Sequence, residues 1–174
     1  EFQTALPKKG DTIAIMDTDF GTIKFKLFTK EIPTLTKNFI ELAKAGKYAG
    51  TPFHRVMQNF MIQGGDFTNK DGTGGYSYKG PGTVLANEIS PHLHHLYGAV
   101  SMAKTSAPVS IGSQFFIVNN KECGALFLDG DYSPFAQVYE GMDVVHKITD
   151  LQVAGTQSPS EQVLVKAVTI EIVK

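Results

Sequence analysis

Four short stretches concentrate residue types that could do chemistry: Phe53-His54-Arg55-Val56, Phe60 to Phe67, Gly72-Thr73-Gly74-Gly75 and Gly112 to Ile117. Arg55 carries a planar fork of donors that is always charged. Gln63 and Gln114 bring amides, and Phe60, Met61, Phe115 and Phe116 bring apolar surface. Taken singly, each has a plainer account: an arginine is usually a surface cation, and phenylalanine and methionine are usually core. Alternation along a strand separates Phe115 from Phe116, so one of the pair faces inward and the other outward.

Three other groupings invite chemistry and are weaker. His92, His94 and His95 suggest a metal site or a pH switch. No cysteine is near them and the Glu88 carboxylate is loosely placed, so no metal site is expected. Cys123, the only cysteine, is expected to be a loop thiol without special chemistry. Seven glycines fall between Gly64 and Gly82, but Gly72-Thr73-Gly74-Gly75 lacks the following Lys-Ser or Lys-Thr and the helix of a phosphate-binding loop. A long surface loop near a functional surface is expected instead.

The elements that must position these residues are mostly strands. Thr12 to Met16 and Thr22 to Leu27, with a turn at Asp19-Phe20-Gly21, form an opening hairpin in which Ile23, Phe25 and Leu27 alternate with polar residues. Leu35, Phe39, Leu42 and Ala43 then take helical spacing between Pro33 and Gly46. Short apolar segments follow at 53–56, 60–63, 98–102, 115–118 and 135–139, with a second helix over 142–148 and a closing strand through Val168, Ile170 and Ile172. Many short strands with two helices and no βαβ period predict a mostly β, antiparallel sheet or barrel.

At 174 residues, 42% of them hydrophobic, the chain suits one domain. Sixteen basic and seventeen acidic side chains give a formal charge of −1, which does not favour nucleic acid. No run reaches the roughly 18 apolar residues of a membrane span. A soluble monomer is expected, in the cytoplasm or, if an upstream signal was removed, outside it. The start at Glu1 leaves any upstream segment unseen, and a single cysteine separates the compartments only weakly.

The four stretches, in this order and spacing, resemble the cyclophilin family of peptidyl-prolyl cis/trans isomerases. Ser101-Met102-Ala103, Leu128-Asp129-Gly130 and Phe135 to Gly141 extend the resemblance from about Thr12 to Val173. It implies a closed eight-stranded antiparallel β-barrel over 12–174, capped by two α-helices, with residues 1–11 as an N-terminal extension and the active groove on the outer wall. Carried over, the catalytic residues are Arg55 and Gln63. Phe60, Met61, Phe116 and Leu128 form the proline pocket, Gln114 lies in the groove, the Lys104 backbone binds the peptide, and Ala103 and Thr105 flank it. Phe115 is then core. His54 is left outside the catalytic set, because the reaction transfers no proton. No cofactor or metal is implied, and the partners are proline-containing peptides and folding proteins.

The resemblance also marks departures. Phe127 stands where many eukaryotic members carry a tryptophan that donates to cyclosporin A, so weakened cyclosporin binding is expected. Tyr132 replaces a pocket histidine, as in a bacterial-like member with Phe127. Lys104 replaces an asparagine, adding a cation that would favour acidic substrates. The 119–126 loop is longer than in the family and is expected to bring Cys123 near the groove. A proline-peptide binding module without turnover is the alternative function, and intact Arg55, Phe60, Gln63 and Phe116 favour the enzyme.

Overall fold

In the computed structural model, which describes residues 2–174, the chain opens with the expected hairpin, β1 (Thr12–Thr18) and β2 (Gly21–Leu27). The Thr18 hydroxyl locks its turn by donating to the Gly21 carbonyl at 2.7 Å and accepting the Phe20 N–H at 3.1 Å. Helix α1 (Pro33–Lys44) follows, with proline in its first turn, where a missing N–H costs nothing. Its N-terminal donors are capped from a distance: the Glu88 carboxylate accepts the Thr34 and Leu35 N–H groups at 3.0 and 3.2 Å. The carboxylate that looked loosely placed beside the histidines is a helix cap.

The remaining elements are β3 (Thr51–Pro52), β4 (Arg55–Met57), β5 (Met61–Gly64), β6 (Leu85–Ala86), β7 (Ala99–Met102), β8 (Val109–Ile111), β9 (Phe115–Val118), β10 (Pro134–Glu140), α2 (Met142–Thr149) and β11 (Leu164–Ile172), with a 3-10 turn at Leu126–Leu128. The main sheet is antiparallel and has nine strands in the order β3-β11-β1-β2-β10-β7-β9-β5-β4. The family resemblance implies eight strands in a closed barrel. The difference lies at 51–57, one stretch of chain that pairs with β11 at its start and with β5 at its end. The two end strands of the curled sheet are therefore neighbours in sequence. Phe53, between them, donates its N–H to the Val163 carbonyl at 3.1 Å. Strands β6 and β8 form a separate pair that the sequence did not suggest.

Alternation divides the sheet into two faces. Val56, Ile62, Val100, Met102, Phe115 and Ile117 point into the main core, where Leu35, Phe39 and Leu42 of α1 and Val144, Val145 and Ile148 of α2 meet them. Phe39 is the hub, with ring contacts to Phe25, Tyr48, Phe115 and Phe135 at 5.0–6.0 Å. On the other face Met61, Ala99, Phe116, Val118 and Ala125 form a second, smaller cluster.

Residues 2–11 pack onto this framework. The buried Lys26 ammonium donates to the Phe2 and Ala5 carbonyls at 2.9 and 2.7 Å, and Phe2 meets Phe28 edge-on at 5.9 Å. Buried Gln3 exchanges hydrogen bonds with the His94 backbone, donating to its carbonyl at 2.7 Å and accepting its N–H at 3.0 Å.

Candidate active site

The outward residues of neighbouring strands fall in one row. Arg55 pairs with Gln63, Gln63 with Phe116, and Phe116 with Ser101, across β4, β5, β9 and β7. Since residues directly opposite share a face, the ladder sets a guanidinium, an amide and a phenylalanine side by side on the outer surface. Around them lies a cavity of about 250 Å³ lined by Arg55, Phe60, Met61, Gln63, Ala103, Lys104, Phe116, Leu128 and Tyr132. A neighbouring cavity of about 280 Å³ shares Gln63, Ala103 and Lys104 and adds Thr105, Gln114 and the Gly72–Gly75 segment.

Phe127 lies outside both cavities, 75% exposed, with its ring 5.7 Å from that of Phe60. Cys123 is exposed and lines neither cavity. A wider hollow of about 500 Å³ between the N-terminal segment and β2 shares no lining residue with either cavity. Its one buried cation, Lys26, is already committed to the Phe2 and Ala5 carbonyls, so size does not make it the site.

A directed chain of hydrogen bonds orients the guanidinium. Gln114 Nε2 donates to the carbonyls of Gly72 and Gly74, each at 2.9 Å, which leaves its Oε1 to accept Gln63 Nε2 at 3.0 Å. Gln63 Oε1 in turn accepts Arg55 Nη1 at 3.2 Å. Each amide has its orientation set by the one behind it. From the other side Arg55 Nε donates to Gln157 Oε1 at 2.6 Å. Sequence reasoning missed Gln157, which lies 102 positions away in a loop.

The glycine-rich segment anchors that chain. The buried Asp66 carboxylate accepts N–H groups from Thr68, Asn69, Asp71, Gly72 and Gly74 at 2.9–3.2 Å. Burial works to raise its pKa, but the backbone donors from Asn69, Gly74 and Gly72 outweigh it and hold the carboxyl well below the usual range. A Cβ at Gly74 would run into Thr68 Oγ1, and one at Gly72, where φ is +98°, would come 2.8 Å from His54 Nε2. The glycines thus let a loop wrap a carboxylate and aim two carbonyls at Gln114. Asp66 lies within the Phe60 to Phe67 stretch, where the sequence alone gives it no role.

The histidines build the wall behind the pocket. His95 is fully buried, with Nδ1 2.7 Å from Asp129 Oδ1, Nε2 3.0 Å from Ser101 Oγ, and its ring stacked on Phe116 at 5.9 Å and 9°. His94 Nδ1 reaches the other Asp129 oxygen at 2.8 Å. Burial lowers the His95 pKa, against the pull of Asp129. Burial also pushes Asp129 up, but the side-chain and backbone hydrogen bonds of His95 hold it lower. His92 takes no part in this bridge, and no group of three candidate metal ligands occurs among the described residues.

His54 packs against Gly72, and burial lowers its pKa as well. Lys104, expected as a cation at the groove rim, has partners there. Its ammonium is held 3.1 Å from Asp131 Oδ1 and lies over the Tyr132 ring.

Fold and site together define an antiparallel β protein that presents a fixed guanidinium beside an apolar recess on its outer wall, with amides along one edge. Such a recess suits a small apolar ring attached to a peptide bond. Residues 13–170 match the family described as cyclophilin type peptidyl-prolyl cis-trans isomerase. A putative peptidyl-prolyl cis-trans isomerase of Staphylococcus aureus strain USA300 is 34% identical, with 94% of each chain covered. Peptidyl-prolyl cis-trans isomerase 9 of Schizosaccharomyces pombe is 43% identical over 92% of this chain and 25% of its own length. The crystal structure of a cyclophilin-type isomerase from Cryptosporidium parvum superposes with a TM-score of 0.85 at 31% identity, covering 92% of this chain and 98% of that one. A structure of the Cryptosporidium protein in the presence of the dipeptide Ala-Pro gives 0.83 at 32% identity.

The chain belongs to the cyclophilin-type peptidyl-prolyl cis/trans isomerase family, and its function is isomerisation of the bond before proline. No helix among the described residues is long and apolar enough to cross a membrane.

Proposed function

We propose that the 250 Å³ recess receives the proline ring of a peptide or folding chain and that Arg55 stabilises the twisted amide. The observation that carries this reading is the convergence on one recess of Arg55, Gln63 and the apolar side chains of Phe60, Met61, Phe116 and Leu128. Amide resonance makes rotation cost about 18–20 kcal/mol, and an unassisted X-Pro bond takes tens to hundreds of seconds to exchange. No bond is broken. In the transition state the proline nitrogen leaves conjugation, its lone pair localises, and the carbonyl gains double-bond character.

A donor aimed at that lone pair stabilises the transition state and has nothing to bond in the planar ground state. Arg55 suits the task because Gln157 and Gln63 fix the plane of its fork. Ala103, Lys104 and Thr105, with Gln114, line the ridge and second cavity along which the rest of the peptide would lie, the Lys104 backbone anchoring it. Anchoring one side of the bond lets the other swing. An acceleration on the order of 10⁵ requires about 7 kcal/mol, within reach of a few oriented hydrogen bonds and a dry pocket.

The dipeptide named with the Cryptosporidium structure supports the same class of ligand here. The test is the cis-to-trans relaxation of a short Ala-Pro peptide: catalytic amounts of the protein should accelerate it many-fold, and no acceleration would leave only a binding module. We also propose that the protein acts as a monomer and binds cyclosporin A weakly. Phe127 keeps an apolar contact beside Phe60 but has no N–H to donate, and nanomolar affinity in a titration would contradict this.

A further inference from the structure

Lys104 and Tyr132, the two pocket positions where this chain departs from the family pattern, touch each other. The Lys104 ammonium lies 4.5 Å from the Tyr132 ring centroid, within the range of a cation–π contact. It also donates to Asp131 Oδ1 at 3.1 Å and to the Thr105 carbonyl at 3.4 Å. Two oxygens and a ring face therefore surround a group with three donors. Only 8% of the Lys104 side chain is exposed, against 72% for Asp131. Asp131 is held in place from both ends of its backbone: its N–H donates to the Leu128 carbonyl at 3.1 Å, and its own carbonyl accepts Asn87 Nδ2 at 2.7 Å.

The location gives this contact its consequence. Lys104 lines both cavities, so its charge sits on the ridge that a bound chain must cross. An uncompensated ammonium there would attract carboxylates and repel lysine or arginine on the substrate. A carboxylate 3.1 Å away turns the charge into a short dipole, whose field fades over a few ångströms. Tyr132 keeps the ammonium against the wall and makes a T-shaped contact with Phe116 at 5.8 Å, so the arrangement continues into the apolar pocket.

We propose that Asp131 is a specificity-determining residue: its carboxylate neutralises Lys104 on the groove wall and makes the isomerase indifferent to the charge of residues beside the substrate proline. The inference rests on the reading that the peptide lies along this ridge. Asp131 lines neither cavity and needs no contact with substrate to act.

The test measures kcat/KM for three otherwise identical peptides with Glu, Ala or Lys before the proline, using the wild type, Asp131→Asn, and Asp131→Asn combined with Lys104→Gln. The wild type should give a Glu-to-Lys ratio near unity. Asp131→Asn should leave the rate on the Ala peptide and the thermal midpoint unchanged while raising the ratio about three- to five-fold, the size of a weak ion pair whose carboxylate is largely exposed. That preference should vanish in roughly 1 M salt, where the screening length is about 3 Å. It should also vanish in the double variant.

An unchanged ratio in Asp131→Asn, or a wild type that already prefers Glu strongly, overturns the proposal while the Ala peptide still reports isomerase activity. A wild type that accelerates none of the three peptides overturns the reading of the groove, and this inference with it.

Discussion

Phe115 and Phe116 are consecutive on one strand and live in different parts of the molecule. Phe115 is buried among Phe39, Tyr48 and Phe53, with centroid distances of 5.6–6.3 Å, in the core that both helices help to close. Phe116 lies on the opposite face, stacked on His95, edge-on to Tyr132, and lining the recess beside Arg55. The inner face is filled by apolar and aromatic side chains, with the buried Tyr48 hydroxyl donating to the Ser113 carbonyl at 2.9 Å. The outer face is held by polar scaffolding, with Asp129 and Ser101 behind His95, and Asp66 and two glycine carbonyls behind Gln114, because its front must stay open. A strand of period two can thus fill the core on one side and line a recess on the other.

Substitutions at the two rings should separate these faces most sharply. Phe115→Ala should cost about 3–5 kcal/mol of stability through lost burial and a residual cavity, read as a lowered midpoint in chemical denaturation, while the folded fraction keeps its isomerase activity. Phe116→Ala should cost less stability and lower kcat/KM about 10- to 100-fold, since it removes roughly 1.5–3 kcal/mol of apolar contact from the pocket. Equal effects of the two variants on both stability and rate would erase the distinction between the faces.

A pH series sharpens the same contrast. His54 and His95 are kept neutral by burial, so their folded pKa values lie below the unfolded one of about 6.5. Below that pH the unfolded chain takes up protons that the folded chain refuses. Their contribution to stability is therefore complete above about pH 6.5 and is lost as the pH falls. Asp66, also depressed, contributes above about pH 3.9 and loses that contribution at still lower pH. Catalysis should not follow this curve: no proton is transferred, so kcat/KM of the folded protein should be flat from about pH 5 to 9. Denaturation curves and peptide kinetics across this range check both statements, and a bell-shaped rate profile would contradict the second.

The smallest effect should come from the edge of the outer face. Gln157→Ala removes one donor-fixing contact to Arg55 Nε at an exposed position. It should lower kcat several-fold, about 1 kcal/mol, with little change in KM or thermal midpoint. A loss confined to KM would mean that Gln157 binds substrate instead of orienting the guanidinium.

Much of this was legible in the sequence because it is local. Alternation separated Phe115 from Phe116, helical spacing marked Leu35, Phe39 and Leu42, and the motif segments marked the residues that line the recess. What was not legible depends on distant partners. Gln157 meets Arg55, Asp129 bridges His94 and His95, and Glu88 caps α1, pairings 34 to 102 positions apart that leave no periodic trace. That the Lys104 cation meets Asp131 and Tyr132 was hidden too, because nothing in a linear sequence shows that they fold against it. The split of 51–57 into β3 and β4 was hidden for a similar reason: one extended stretch changes partner from β11 to β5 at Phe53-His54.

The role proposed for Arg55, a guanidinium oriented by Gln63 and Gln157 that stabilises the twisted amide while the apolar recess holds the ring, is tested most directly by the cis-to-trans relaxation of an Ala-Pro peptide with the wild type and with Arg55→Ala. In the variant kcat/KM should fall about 10²- to 10³-fold, the effect of removing one aimed donor, with the thermal midpoint unchanged. Equal acceleration by the variant would contradict it.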